Sequence, residues 1–197
     1  MRPDCKAFYP RTHWAIETML GTKEFEALKW TSLQPNAFAD LYLANAAAFI
    51  KKYRETGELD TLSLSATPDV PVGIIDSGDV GVFAAHLLLE EDVSRHNGQR
   101  YVLNGPEDIT GEEIVKMAEG YIGVKIPDVK YKDMSFVDWM AAGVEEEKSA
   151  VLTIKYALET SWAGLAKSNT TSKAVLEHAA SPKTTPAEVL KRIVEGN

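Results

Sequence analysis

Apolar residues recur along this chain in two alternating rhythms. From Thr12 to Leu20, Trp14, Ile16, Met19 and Leu20 fall at helical spacing. "ALKWTSLQPN", Ala27 to Asn36, then shifts to extended backbone. Trp30, Thr31 and Leu33 favour a strand, Pro35 stops it, and the proline biases Gln34 away from helix. Phe38 to Glu55 returns to the helical rhythm, with Leu41, Tyr42, Asn45, Phe49 and Tyr53 at three- and four-residue steps and alanines between them. Gly57 is its expected stop. "DTLSLSATPDVPVGIID" alternates loosely, and its prolines imply short strands and turns rather than a central strand.

The second half repeats the alternation. "VGIID" is an expected strand and "SGDVGVFAAHLLLE" a helix; "RYVLNG", Arg100 to Gly105, is a buried strand closed by Gly105-Pro106. "ITGEEIVKMAEGYIG" is a helix whose Thr110 and Glu113 have capping-box spacing, with Gly120 or Gly123 at its end. "PDVKYKDMS" reads as strand or loop, followed by helices near 135–146 and 149–165. "KSNTTS" is a polar turn. Thr185, Pro186 and Glu188 supply N-cap, N1 and N3 of a last helix ending near Val194. Strands alternating with helices predict an α/β fold with a partly parallel sheet.

Composition narrows the class. The 197 residues suffice for one domain, or a domain with a small lobe, and 45% apolar with 25% charged residues is ordinary for a globular chain. A net charge of -8 with no run of Lys or Arg argues against nucleic acid as a partner. One cysteine, Cys5, excludes an internal disulfide and fits a reducing compartment. The longest apolar stretch, "FADLYLANAAAFI", is too short for a membrane span, and the N-terminus lacks the apolar run of a secretory signal. The expected location is cytoplasmic, or cytoplasmic and nuclear.

Candidate chemistry is sparse. His86, His96 and His178 are scattered without metal-ligand spacing, so no metal site is expected, and His86 reads as a packed or edge histidine. Asp76 and Asp79 span a strand-to-helix turn and read as architecture, with Asp76 or Ser77 as N-cap and Asp79 as a first-turn acid. Phe136, Trp139, Tyr156 and Trp162 read as core in preference to a pocket wall. "EEEK", Glu145 to Lys148, reads as a solvated helix end. In "YPRTHWAIE", Tyr9, His13 and Glu17 stack at four-residue steps on one helix, with Pro10 placing Tyr9 in its first turn.

Four segments in order carry a family likeness: "LKWTSLQPNAF", "VGIIDSGDVGVFAAHLLL", "GQRYVLNGPEDITGEEIVKMAEGYIGVKI" and "SKAVLEHAASPKTTPAEVLKRI". The chain resembles the NmrA-like family of atypical short-chain dehydrogenases/reductases from about residue 9 to 194. The resemblance implies a truncated Rossmann-like α/β fold. Residues 1–56 and 77–122 would form its sheet-and-helix part, and 57–76 and 123–197 a mostly helical substrate lobe. One departure is large. The family opens with a glycine-rich loop whose backbone N–H groups and helix N-terminus hold the dinucleotide pyrophosphate, and nothing here has that spacing after a strand. The likeness is to the C-terminal two-thirds of the family pattern.

Two readings of the helix at Tyr9 are open. In the resemblance, Tyr9 is the acid or base, His13 stands where a lysine is usual, and Glu17 is the acid that follows; a neutral imidazole lowers a phenol pKa less than a lysine does. Alternatively this is helix surface, with His13 contacting Glu17 at i,i+4. The resemblance also places Gln34, Pro35, Asn36 and Phe38 beside the nicotinamide end of NADP or NAD and the substrate; read locally, they are a turn in which Asn36 caps the next helix. Three functions compete: an NAD(P)-dependent reductase of a small organic molecule impaired in cofactor binding, a redox-sensing regulator that binds a protein partner, or a cofactor-free enzyme of the isomerase or cyclase type. A shortened sheet is expected to expose an edge, which favours a homodimer or a partner chain.

Overall fold

The computed structural model describes residues 3–196. Two parallel strands form the central sheet: β1 (Thr31–Pro35) and β3 (Gln99–Leu103), in the register Leu33 opposite Tyr101 and Pro35 opposite Leu103. The fold is α/β and Rossmann-like. A second parallel pair, β2 (Leu62–Ser63) with β4 (Val129–Lys130), is only two residues long. The outer edge of β3 is closed by Ser172, whose N–H donates to the Val102 carbonyl at 3.0 Å and whose Oγ accepts from the Val102 N–H at 2.9 Å.

Local chemistry sets several helix ends. α4 (Ser77–Leu89) starts at Asp76, whose side chain accepts from the Asp79 N–H; of the two expected caps, Asp76 and Ser77, it is the first that serves. α5 (Gly111–Ile122) and α10 (Pro186–Glu195) each open on the expected capping box, Thr110 with Glu113 and Thr185 with Glu188. Gly57 and Gly123 adopt left-handed backbone and end α3 (Ala44–Thr56) and α5. α1 (Phe8–Leu20) begins four residues before the predicted start, because Pro10 is tolerated within its first turn.

Other expectations need correction. The long helix expected over Phe38 to Glu55 divides at buried Leu43 into α2 (Ala39–Tyr42) and α3. The helix expected over 149–165 divides at Thr153 into α7 (Lys148–Leu152) and α8 (Ile154–Trp162), where the Thr153 Oγ1 accepts from the Phe8 N–H of α1 at 2.8 Å. α6 (Ser135–Ala142) stops at Gly143. "VGIID" is not a strand: Ile75 makes a single parallel bridge to Phe38 and Val72 an antiparallel one to Ile109. Trp139 is 78% exposed and Tyr156 44%, so neither is core; α6 buries Val137 and Ala141 instead, and α8 buries Ser161. A short helix, α9 (Lys173–Leu176), follows the polar turn.

Two apolar cores result. The larger gathers α2, α3, β2, α5 and α10 around Leu43, Ile50, Leu64, Ile114 and Leu190. The smaller lies between the sheet and α4, where Phe83 and Leu87 meet Leu33, Tyr101, Leu103 and Val175. The segments between them pass so closely that a Cβ on Gly105 would stand 2.1 Å from the Ile74 carbonyl oxygen, which only glycine accommodates. Among the described residues no helix is long and apolar enough to cross a membrane.

Candidate functional site

The period of two in a strand divides the β1–β3 sheet into unlike faces. Leu33, Tyr101 and Leu103 turn toward α4. Ser32 and Gln34, with Arg100 in register beside Ser32, form the opposite, polar face. α1 lies on that face and inserts Glu17, 6% exposed, into it. The Glu17 carboxylate accepts from Ser32 Oγ at 2.5 Å, Gln34 Nε2 at 2.8 Å and Arg100 Nε at 2.9 Å. Desolvation pushes this carboxyl up, but the hydrogen bonds from Ser32, Gln34 and Arg100 and the Arg100 charge outweigh it and leave its pKa below the ordinary value. Its acceptor capacity is thus taken by the sheet, not by His13.

Tyr9 and His13 lie on the exposed side of α1, Tyr9 46% exposed, with ring centroids 6.0 Å apart in an edge-to-face arrangement. Desolvation, and then the nearby Cys5, raise the Tyr9 pKa, so the phenol stays protonated at neutral pH. This is the opposite of the lowering a neighbouring lysine gives. The N-terminal end of α1 is fastened to the α7–α8 junction by the Phe8–Thr153 bond, and Lys6 sits 5.5 Å from the Tyr156 ring centre.

The C-terminal ends of the strands carry the other candidates. Gln34 is committed to Glu17, and Pro35 ends β1. Asn36 is a hub: its Nδ2 lies 2.7 Å from Asn104 Oδ1, 2.9 Å from the Ala166 carbonyl and 3.1 Å from the Gly73 carbonyl, while its Oδ1 accepts from the Ala37 N–H. It does not cap α2, which has no side-chain cap. Phe38 stays 37% exposed and shares a bridge with Ile75. Sequence reasoning missed Ser32, Arg100 and Asn104. Strand parity would have found the first two, since they share a face with Gln34.

The scattered histidines converge in part. Glu90 accepts from Arg95, with His96 Nε2 at 2.9 Å and His178 Nε2 at 3.2 Å, and His96 Nδ1 is 2.7 Å from the buried Tyr101 hydroxyl. These bonds, from Arg95 first and then His96, bring the Glu90 carboxyl down to about 2. His86 is an edge residue, its ring centre 5.8 Å from that of His178. Among the described residues no group of His, Cys, Asp and Glu is arranged to hold a metal ion, and no buried side-chain nitrogen or oxygen lacks a partner. Two shallow depressions, of about 280 and 350 Å³, lie elsewhere: one is lined by Met117, Gly120, Tyr121 and Ala187, the other includes Trp30 and Asn97.

No protein-family model matches the sequence, and no curated protein does. Solved structures do match the fold. An NADPH-dependent quinone oxidoreductase (QOR2) from Escherichia coli superposes with a TM-score of 0.67 at 19% identity, over 96% of this chain and 63% of that one. The Citrobacter sp. triphenylmethane reductase complexed with NADP(H) gives 0.64 at 18% identity, over 95% and 60%. A nucleoside-diphosphate-sugar epimerase (SAV0421) from Staphylococcus aureus gives 0.63 at 14%, over 97% and 61%. The chain therefore has the fold of part of these proteins and spans about 60% of their length.

A complete dinucleotide site does not fit the residues present. β1 leads into the four-residue α2, and β3 into α5 through Asn104 to Thr110, and neither turn carries the glycine spacing that lets backbone N–H groups approach a pyrophosphate. The polar side chains at the strand ends are already bonded within the protein. Of the candidate residues, Tyr9, His13 and Phe38 are the exposed ones.

Proposed function

We propose that this chain is the substrate-side part of an NmrA-like, NAD(P)-dependent reductase acting on a small organic molecule. The observation that carries the reading is a fold likeness running over 96% of this chain but only 63% of an NADPH-dependent oxidoreductase. In this reading Tyr9 is the proton donor, and His13 is its neighbour on the open side of α1. Glu17 braces α1, the helix that carries Tyr9 and His13, against the sheet. Phe38 and the Gln34–Asn36 segment border the nicotinamide end, and the pyrophosphate is held by polypeptide other than the residues described.

The test is an NMR titration of the chain with NADPH. Resonances of Tyr9, His13, Gln34 and Phe38 are expected to shift together at millimolar nucleotide. A folded chain in which none of the four responds would overturn the reading. The missing pyrophosphate cradle favours a second reading, a redox-neutral acid–base enzyme using the same pair. It expects no response to NADPH.

A further inference from the structure

Residues 166–171 cross the C-terminal ends of β1 and β3, the place where open α/β sheets receive ligands. The crossing is made by polar bonds. Asn36, the residue after β1, reaches the Ala166 carbonyl at 2.9 Å. Asn104, the residue after β3 and 2% exposed, donates to Thr170 Oγ1 at 3.1 Å and Thr171 Oγ1 at 2.9 Å. The two amides join each other at 2.7 Å. The Gly73 N–H also donates to the Ala166 carbonyl at 2.8 Å, and the Ser168 N–H to Asp108 Oδ1 at 2.6 Å. Apolar anchoring is slight: of these residues only Ala166 packs against a core, and Asn169 and Thr170 are exposed.

We propose that residues 166–171 are a strap latched by Asn36 and Asn104, which opens as one unit and uncovers the ends of β1 and β3. A segment held mainly by hydrogen bonds to side chains, beside two apolar cores, has a lower opening free energy than its surroundings. The placement of a ligand beneath the strap rests on the function proposed above; the opening itself does not. Asn36 and Asn104 are then positioning residues, their amides spent on the strap.

Native-state amide exchange at low urea tests this without any nucleotide. The Gly73 and Ser168 amides, whose bonds cross the strap boundary, are expected to exchange through one common opening that is insensitive to urea, although they are far apart in sequence. The Asn36 amide, bonded to the Leu103 carbonyl, and the α3 amides report the core. Asn104→Ala should speed the strap group by about tenfold or more relative to that core, because two hydrogen bonds to the strap are lost. Gly73→Ala is a second wedge, since its Cβ would stand 2.7 Å from the Ser168 nitrogen and 3.1 Å from the Asn104 Cβ. It should speed Ser168 while both latch side chains are kept. Strap amides that exchange only by global unfolding, with the urea slope of the core, would overturn the proposal. So would a variant pair that leaves the ratio of strap to core exchange unchanged.

Discussion

Removal of the Glu17 carboxylate tests whether α1 is braced on the sheet as the geometry requires. Three hydrogen bonds are lost in Glu17→Ala, from Ser32, Gln34 and Arg100. The two neutral donors contribute about 1 kcal/mol each and the charged one about 2 kcal/mol. The Arg100 side chain is half exposed, so solvent recovers part of its share, and roughly 3 kcal/mol of destabilisation is expected. Glu17→Gln keeps an acceptor for Ser32 or Gln34 but turns an amide toward Arg100, and about half that loss is expected. Urea unfolding at pH 7 reads both as a lower midpoint at constant slope. The pH dependence is a second readout. The folded carboxyl titrates below its ordinary 4.5, so between the two values the unfolded chain binds more protons and stability rises with pH. The contribution is therefore complete above about pH 5 and disappears as pH falls through the folded value. Glu17→Gln should flatten that part of the profile relative to wild type. Variants within about 0.5 kcal/mol of wild type, with an unchanged acid limb, would refute the brace.

Gly105→Ala should unfold the chain or cost more than about 3 kcal/mol, since its Cβ would overlap the Ile74 carbonyl oxygen at 2.1 Å; thermal unfolding by circular dichroism checks this. Thr185→Ala should cost about 1 kcal/mol by breaking the capping box that opens α10, measured by the same urea midpoint, with Thr185→Ser recovering most of it.

The local grammar of this chain was legible. Asp76, Thr110 and Thr185 each precede a helix with an acceptor side chain at the right distance from the third helical N–H, and each caps as read. The Trp30–Pro35 signal located β1, and "RYVLNG" located β3. Readings that needed a neighbour fared worse. "VGIID" has strand composition, but only Ile75 and Val72 find bridging partners, so no ladder forms. Trp139 and Tyr156 look like core residues by type, yet their helices bury other faces. The stacking of Tyr9, His13 and Glu17 is real in the helix, but Glu17 lies on the flank that meets the sheet and Tyr9 and His13 on the flank that does not. Spacing alone does not separate those flanks.

The sequence by itself determined the capped starts of α4, α5 and α10, the glycine stops of α3 and α5, the two strands of the central sheet, and that this is an α/β chain. Those features follow from backbone preferences and capping bonds that span three or four residues. The tertiary structure alone decided what the candidate residues do. Glu17 meets Arg100 across 83 positions, Asn36 meets Asn104 across 68 and Ala166 across 130. A carboxylate or an amide is versatile in sequence because its partners are unstated. Once burial requires every acceptor and donor to be satisfied, the fold supplies the partners, and with them the role.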